Sequence, residues 1–187
     1  MKLNHLTFIP LALLLNACAN TQPEQSSRES SNATPPATQS VNKTHTTSPS
    51  LAEIQAQDTE QMIDYAREFL GTKYVWGGSS PKGFDCSGYI KYVYNKFDIT
   101  IPRTTAAYPS LYGNKVSLKD AKPGDLIVFT GTNPNIRKPG HAGIITSVDD
   151  GKLTFIHSSS SKKHFGVTET DYYKSGYPRR FLTVVRM

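Results

Sequence analysis

The apolar residues of this chain change their spacing once, at about Pro123, and that change narrows the folds open to it. Before it, Met62, Ile63, Ala66, Phe69 and Leu70 recur at three and four residues, which predicts a helix over Thr59 to Leu70 capped by Asp58 or Thr59 and stopped by Gly71. Tyr89, Ile90, Val93, Tyr94 and Phe97 repeat the pattern and predict a second helix from about Cys86 to Phe97, with Asp85 as its N-cap. Between the two, Tyr74 to Gly78 reads as a short extended run that gives way to a turn-rich loop over Ser79 to Phe84. Arg103 to Tyr108 reads as one or two further helical turns ending near Pro109. After the turn Lys122-Pro123-Gly124, the segments Asp125 to Phe129, His141 to Ser147, Lys152 to His157 and Phe181 to Arg186 read as strands. Helices followed by a run of strands imply an α+β domain with an antiparallel sheet.

The first residues read as an export signal. Lys2 precedes an apolar stretch from Leu6 to Leu15, shorter than the roughly 20 residues that span a bilayer, so a removed signal is expected rather than a permanent membrane helix. Leu15-Asn16-Ala17-Cys18 resembles a lipoprotein signal cut before its cysteine, although Asn16 departs from the small or apolar residue usual there. On that resemblance residues 1–17 are a signal peptide, Cys18 carries acyl chains, and Ala19 in the sorting position implies the periplasmic face of the outer membrane. From residue 18 to residue 50 the chain is rich in Ser, Thr, Asn, Gln and Pro and lacks the apolar surface to offset its ordering entropy, which predicts a disordered tether. Residues 51–187 have the length of one domain. The formal net charge is +6, scattered rather than blocked, as on a soluble surface or one attracted to an anionic cell wall. Export argues against nucleic acid as the partner.

Of the two cysteines, lipidation accounts for Cys18, so Cys86 has no partner for a disulfide. A lone thiol at the start of a helix meets unsatisfied N–H groups and the positive end of the helix dipole, which together predict a lowered thiol pKa and a nucleophile, with the same amides free to hold an oxyanion. The competing reading of Cys86 is a small buried filler. Gly88 leaves either room for a substrate or room for close packing. A thiol nucleophile needs a base. Of the five histidines, His5 falls in the signal and His45 in the tether. His141 stands at the start of a strand among Pro139, Gly140, Ala142 and Gly143. If Asp149-Asp150-Gly151 is a three-residue hairpin loop, Gly143 pairs with His157, and His141 shares a face with His157 on a diagonal. A two-residue loop would put the two imidazoles on opposite faces. His164 lies in a Ser- and Lys-rich loop and is expected to be exposed. One cysteine and scattered histidines lack the spacing of a zinc site, so no metal or other cofactor is implied.

The segments YVWGGSSPKGFDCSGYI, IPRTTAA, KPGDLIVF, GHAGII and FIHSSSSKKHFGV, in this order, resemble the NlpC family of papain-like cell-wall cysteine peptidases, nearest its small lipoprotein members. The resemblance begins at about Glu60 and covers nearly the whole domain. It implies a papain-like α+β fold with N-terminal helices, one of them carrying the cysteine, on an antiparallel sheet of about five to six strands. It also implies Cys86 as nucleophile, His141 as base and His157 as the polar residue orienting the base. Tyr74 matches a family tyrosine at the cleft that helps bind substrate or oxyanion, and Asp85 and Ser87 flank the cysteine as substrate contacts; structural readings stand beside these, above all Asp85 as a helix cap. The long loop from Gly131 to Gly140 and the pair Tyr108-Pro109 depart from the family pattern.

The function expected is hydrolysis of an amide in the stem peptides of peptidoglycan, at either the D-Ala to diaminopimelate cross-link or the γ-D-Glu to diaminopimelate bond, by a monomer. A silent wall-binding module and a thiol amidase or acyltransferase are the alternatives.

Overall fold

The structure, a computed structural model, describes residues 50–162 and 164–187. The expected signal, Cys18 and all of the tether before Ser50 lie outside the described residues.

Helix α1 spans Leu51–Arg67 and so begins well before Thr59. Its start is set by a capping box: the Ser50 hydroxyl accepts from the Glu53 N–H and the Glu53 carboxylate accepts from the Ser50 N–H. The first turns carry no apolar stripe because they are exposed; Met62, Ile63 and Ala66 in the last turns are the residues that bury. Capping therefore fixes where this helix begins; it ends at Arg67 rather than at Leu70, and turns lead from there to Gly71.

Strands β1 (Ser79–Ser80) and β2 (Gly83–Phe84) form a small hairpin where an irregular loop was expected. Helix α2 follows over Cys86–Lys96, as the apolar spacing predicts. A 3-10 helix runs over Thr105–Asn114, past Pro109 rather than ending there. Proline's fixed φ lies within the range of 3-10 backbone, so it does not halt this kind of turn. The remaining strands are β3 (Lys115–Val116), β4 (Leu126–Thr130), β5 (Pro139–Asp149), β6 (Lys152–Ser161), β7 (His164–Asp171) and β8 (Phe181–Val185).

These six make one antiparallel sheet in the order β3-β8-β4-β5-β6-β7. The fold is α+β, as the change of period implies. Alternation divides the side chains of the sheet between its two faces. Leu126, Val128, Ala142, Ile144 and Ile156 pack with Met62, Tyr89, Ile90 and Val93 of the helices. Ile127, Phe129, Ile145 and Phe155 pack with Tyr172, Tyr177 and Phe181 on the other side.

Strand β6 continues past His157 to Ser161, through much of the segment read as a Ser- and Lys-rich loop, and β7 starts at His164 where that loop was expected to go on. His164 is exposed, so the expected exposure holds while the expected loop does not. The β5–β6 hairpin also differs from expectation. Asp149 pairs with Lys152, leaving Asp150-Gly151 as a two-residue loop with Gly151 at φ 71°. That loop alone would have separated the two histidines. A bulge at Thr146 shifts the register by one residue, so that Ile145 faces Phe155 and Ile144 faces Ile156, which brings Gly143 opposite His157. Two departures from the expected hairpin thus cancel, and the diagonal relation of His141 to His157 survives.

Candidate active site

Cys86 is the first residue of α2, immediately after the cap. Asp85 accepts from the Gly88 N–H at 2.6 Å, so its observed place is that of the N-cap. Its carboxylate is further held by Arg103, whose Nη1 and Nη2 reach Oδ1 at 3.1 Å and Oδ2 at 2.8 Å. Ser87 is buried; its hydroxyl donates to Asp85 Oδ1 and accepts from Arg103 Nη1. Arg103 also donates to the carbonyl oxygens of Gly77 and Gly78. One guanidinium thereby ties the loop after Tyr74 to the first turn of the helix that carries the thiol.

Gly88 is required by packing. A methyl group there would lie 2.0 Å from the Gly78 carbonyl oxygen, so the glycine admits that loop rather than a substrate. Tyr74 bridges to Phe84, meets Phe165 edge-on at 5.8 Å, and lies close enough to Cys86 and Asp85 for their negative charge, after burial, to raise its pKa.

The Cys86 thiol is raised, not lowered, to about 11. Burial is the main cause and the Asp85 carboxylate adds to it; the backbone amides of Ser87, Cys86 and Ala142 act in the opposite sense but are outweighed. The expectation of a lowered pKa from helix position alone is therefore corrected. The resting sulfur is a protonated thiol with three amides near enough to favour its charged form. Since thiolate is the reactive species, alkylation of Cys86 by iodoacetamide is expected to be slow at pH 7 and to climb about tenfold per pH unit toward pH 10. A rate already level below pH 7 would indicate a thiolate paired with imidazolium and contradict this.

The Ala142 amide that faces the sulfur belongs to the residue after His141, and this places the thiol against the start of β5. His141 Nε2 lies 2.8 Å from His157 Nδ1, and His157 Nε2 lies 3.0 Å from Thr170 Oγ1. With Nε2 engaged, Nδ1, the ring nitrogen nearer its own backbone, is the one left for the thiol. Both histidines are buried in an aromatic box of Phe129, Phe155 and Tyr177. Burial, then His157 and the Arg180 guanidinium, hold the His141 pKa well below its usual range. Burial, Arg180 and His164 bring His157 down to about 3. At rest the thiol and the imidazole are thus both neutral, a state from which proton transfer must accompany attack.

Three residues of this site carry no role in the sequence reading. Arg103 lies within the quoted segment IPRTTAA, but its partners stand far from it along the chain. Tyr177 stacks on His141, with ring centres 5.6 Å apart, and its hydroxyl lies 3.3 Å from His141 Nε2; Cys86 adds to the rise of its pKa, mainly due to burial, which sets it near both groups. Thr170 lies on β7, the strand the sequence did not disclose. No alternation of apolar residues signals either of these two. The loop expected from Gly131 to Gly140 yields Pro139 and Gly140 to β5, and the rest of it is pinned through Arg137, which donates to the Phe181 carbonyl of β8.

The chain is similar to several known proteins. The chain is 41% identical over 108 residues to the probable endopeptidase p60 of Listeria monocytogenes, an alignment covering 55% of this chain and 22% of that protein. It is 37% identical over 124 residues to the bifunctional muramidase/DL-endopeptidase CwlT of Bacillus subtilis, covering 66% of this chain and 34% of that one. The chain thus spans about a fifth to a third of the length of these curated relatives. A crystal structure of an NlpC/P60 family protein from Bacillus cereus superimposes with a TM-score of 0.58 at 30% identity, over 68% of this chain and 39% of that one. Such neighbours share the papain-like α+β arrangement seen here. The model of the NlpC/P60 family matches residues 71–186, from the end of the first helix through the last strand, and the chain belongs to that family.

Proposed function

We propose that this domain hydrolyses an amide bond in the stem peptides of peptidoglycan through an acyl-enzyme on Cys86. The observation that carries the reading is the sulfur at the start of α2, with the backbone amides of Ser87, Cys86 and Ala142 acting on it, the last belonging to the residue beside His141. His141 Nδ1 takes the thiol proton as sulfur attacks the carbonyl carbon, and the amides face the negative charge that develops. His141 then returns that proton to the leaving amine, and water, activated by the same imidazole, cleaves the thioester. His157 orients His141; Tyr74, Asp85 and Ser87 line the approach, Asp85 acting through the helix cap.

The substrate rests on kinship. One relative is named a DL-endopeptidase, and the γ-D-Glu to diaminopimelate bond joins a D residue to an L centre. This favours it over the D-Ala to diaminopimelate cross-link. Digestion of purified sacculi followed by mass spectrometry of the soluble products tests the proposal: disaccharide dipeptides ending in D-Glu are expected. Whole stem peptides freed from sugar would identify an amidase instead, and binding without products would identify a silent module.

We also propose that residues 1–17 are removed, that Cys18 is acylated, and that residues 18–50 tether a monomeric domain, residues 51–187, to the periplasmic face of the outer membrane. The lipoprotein-like sequence before Cys18 supports this. A Cys18→Ser form should lose both palmitate incorporation and membrane association; retention of either would refute it.

A further inference from the structure

We propose that Thr170 is a positioning residue of this site: its hydroxyl closes a hydrogen-bond chain that His141 needs when it carries the thiol proton. The inference rests on the reading of Cys86 and His141 as nucleophile and base.

The chain has two links, His141 Nε2 to His157 Nδ1 at 2.8 Å and His157 Nε2 to Thr170 Oγ1 at 3.0 Å. In the resting state a single proton lies between the two rings, and either ring can hold it. If it sits on His141, then His157 carries its own proton on Nε2 and donates to Thr170. If it sits on His157 Nδ1, then His157 Nε2 is bare and the threonine donates to it. A hydroxyl suits both arrangements, being donor and acceptor at once.

Protonation removes that freedom. Once the thiol proton has moved to His141 Nδ1, both nitrogens of that ring carry hydrogen. His157 Nδ1 must then accept, and the proton of His157 must reside on Nε2. That N–H lies inside the aromatic box, where His157 is almost fully buried, and Thr170 Oγ1 is the acceptor it meets. A buried N–H without an acceptor is costly. Only the arrangement with the shared proton on His141 Nε2 leaves Nδ1 bare to take the thiol proton. In it, as in protonated His141, the His157 Nε2–H needs Thr170 as acceptor. The bond therefore favours the reacting arrangement and the transition state over a resting pair that can also hold the proton the other way.

The sheet explains how a residue so distant along the chain reaches the site. His157 pairs with Thr168 across β6 and β7, and Thr170 is the diagonal neighbour on the same face. Glu169, between them, points away and pairs with Arg67 of α1. The groups against His141 are Phe129 on β4, His157 on β6, and Tyr177 and Arg180 on the segment before β8, while the Cys86 thiol of α2 meets the amide of Ala142, the next residue; His164 of β7 acts on His157.

Thr170→Val keeps the side-chain shape and removes the hydroxyl, and Thr170→Ser keeps the hydroxyl. On a purified muropeptide, the valine variant is expected to lose about tenfold in kcat, the worth of one buried hydrogen bond, with KM unchanged. Because it disfavours protonated His141, it should also move the acid limb of the kcat profile to lower pH by up to about one unit. The serine variant should restore both. A valine variant that melts like the wild type yet keeps full kcat, or one whose loss falls on KM with no shift of the acid limb, overturns the inference. Cys86→Ala run beside it separates the two readings: wild-type cleavage that survives Cys86→Ala refutes the nucleophile, whereas an inactive Cys86→Ala with an unaffected Thr170→Val refutes only the role of Thr170.

Discussion

Cys86→Ala is expected to lower the release of soluble products from purified sacculi by about four orders of magnitude or more, the scale found when a covalent nucleophile is removed. The loss should fall on kcat, because the thiol forms a bond with the substrate rather than merely holding it. Folding should be little disturbed. The first turn of α2 is organised by Asp85, by the Gly88 amide and by Arg103, none of which involves the sulfur. Circular dichroism and a melting temperature within a few degrees of wild type would separate lost chemistry from lost structure. Retention of a tenth of the activity in a folded variant would remove the sulfur from the mechanism.

His141→Ala is the second large effect. General-base catalysis contributes typically about a hundred- to ten-thousandfold, and here the base also returns a proton to the leaving amine, so a loss near the upper end is expected in kcat. Because the resting thiol is already neutral, the rate of Cys86 alkylation at pH 7 should change little in this variant. A thiolate held by imidazolium would instead lose its reactivity along with the histidine. The two measurements together distinguish a base that acts during attack from one that activates sulfur beforehand. The variant also empties part of the aromatic box between Phe129 and Tyr177, and a destabilisation of about 1 to 3 kcal/mol by denaturant is expected to accompany it.

Much of this arrangement was legible in the sequence where burial imposes a period. Helix α2 and its cap could be read because Tyr89, Ile90, Val93 and Tyr94 all turn to the core, and Asp85 is the residue type that caps. Strands β4 to β6 could be read because both faces of the sheet are covered, which fills them with apolar residues. Strand β7 could not: its residues run His-Phe-Gly-Val-Thr-Glu-Thr-Asp, and only Val167 among its apolar side chains is buried. Its pairing with β6 comes from the backbone, which leaves no trace in composition. The early start of α1 was hidden for a related reason, since a capping box can begin a helix whose first turns bury nothing.

At the site, the limit was depth. A cysteine at a helix N-terminus reads as activated, but whether amides or burial governs its proton depends on how much water reaches the sulfur, and spacing does not encode that. The bulge at Thr146 likewise has no signature in residue type. Tyr177 and Thr170 enter through the fold alone, brought to His141 by a short 3-10 turn and by the unread strand.

Intact-protein mass spectrometry of an acid-quenched reaction with a purified muropeptide tests the central claim most directly. An adduct equal in mass to the acyl half of the substrate, located on Cys86 by fragmentation and absent from Cys86→Ala, is the result expected. Turnover of the same substrate with no covalent species on Cys86 at any quench time, together with undiminished turnover by Cys86→Ala, would contradict it.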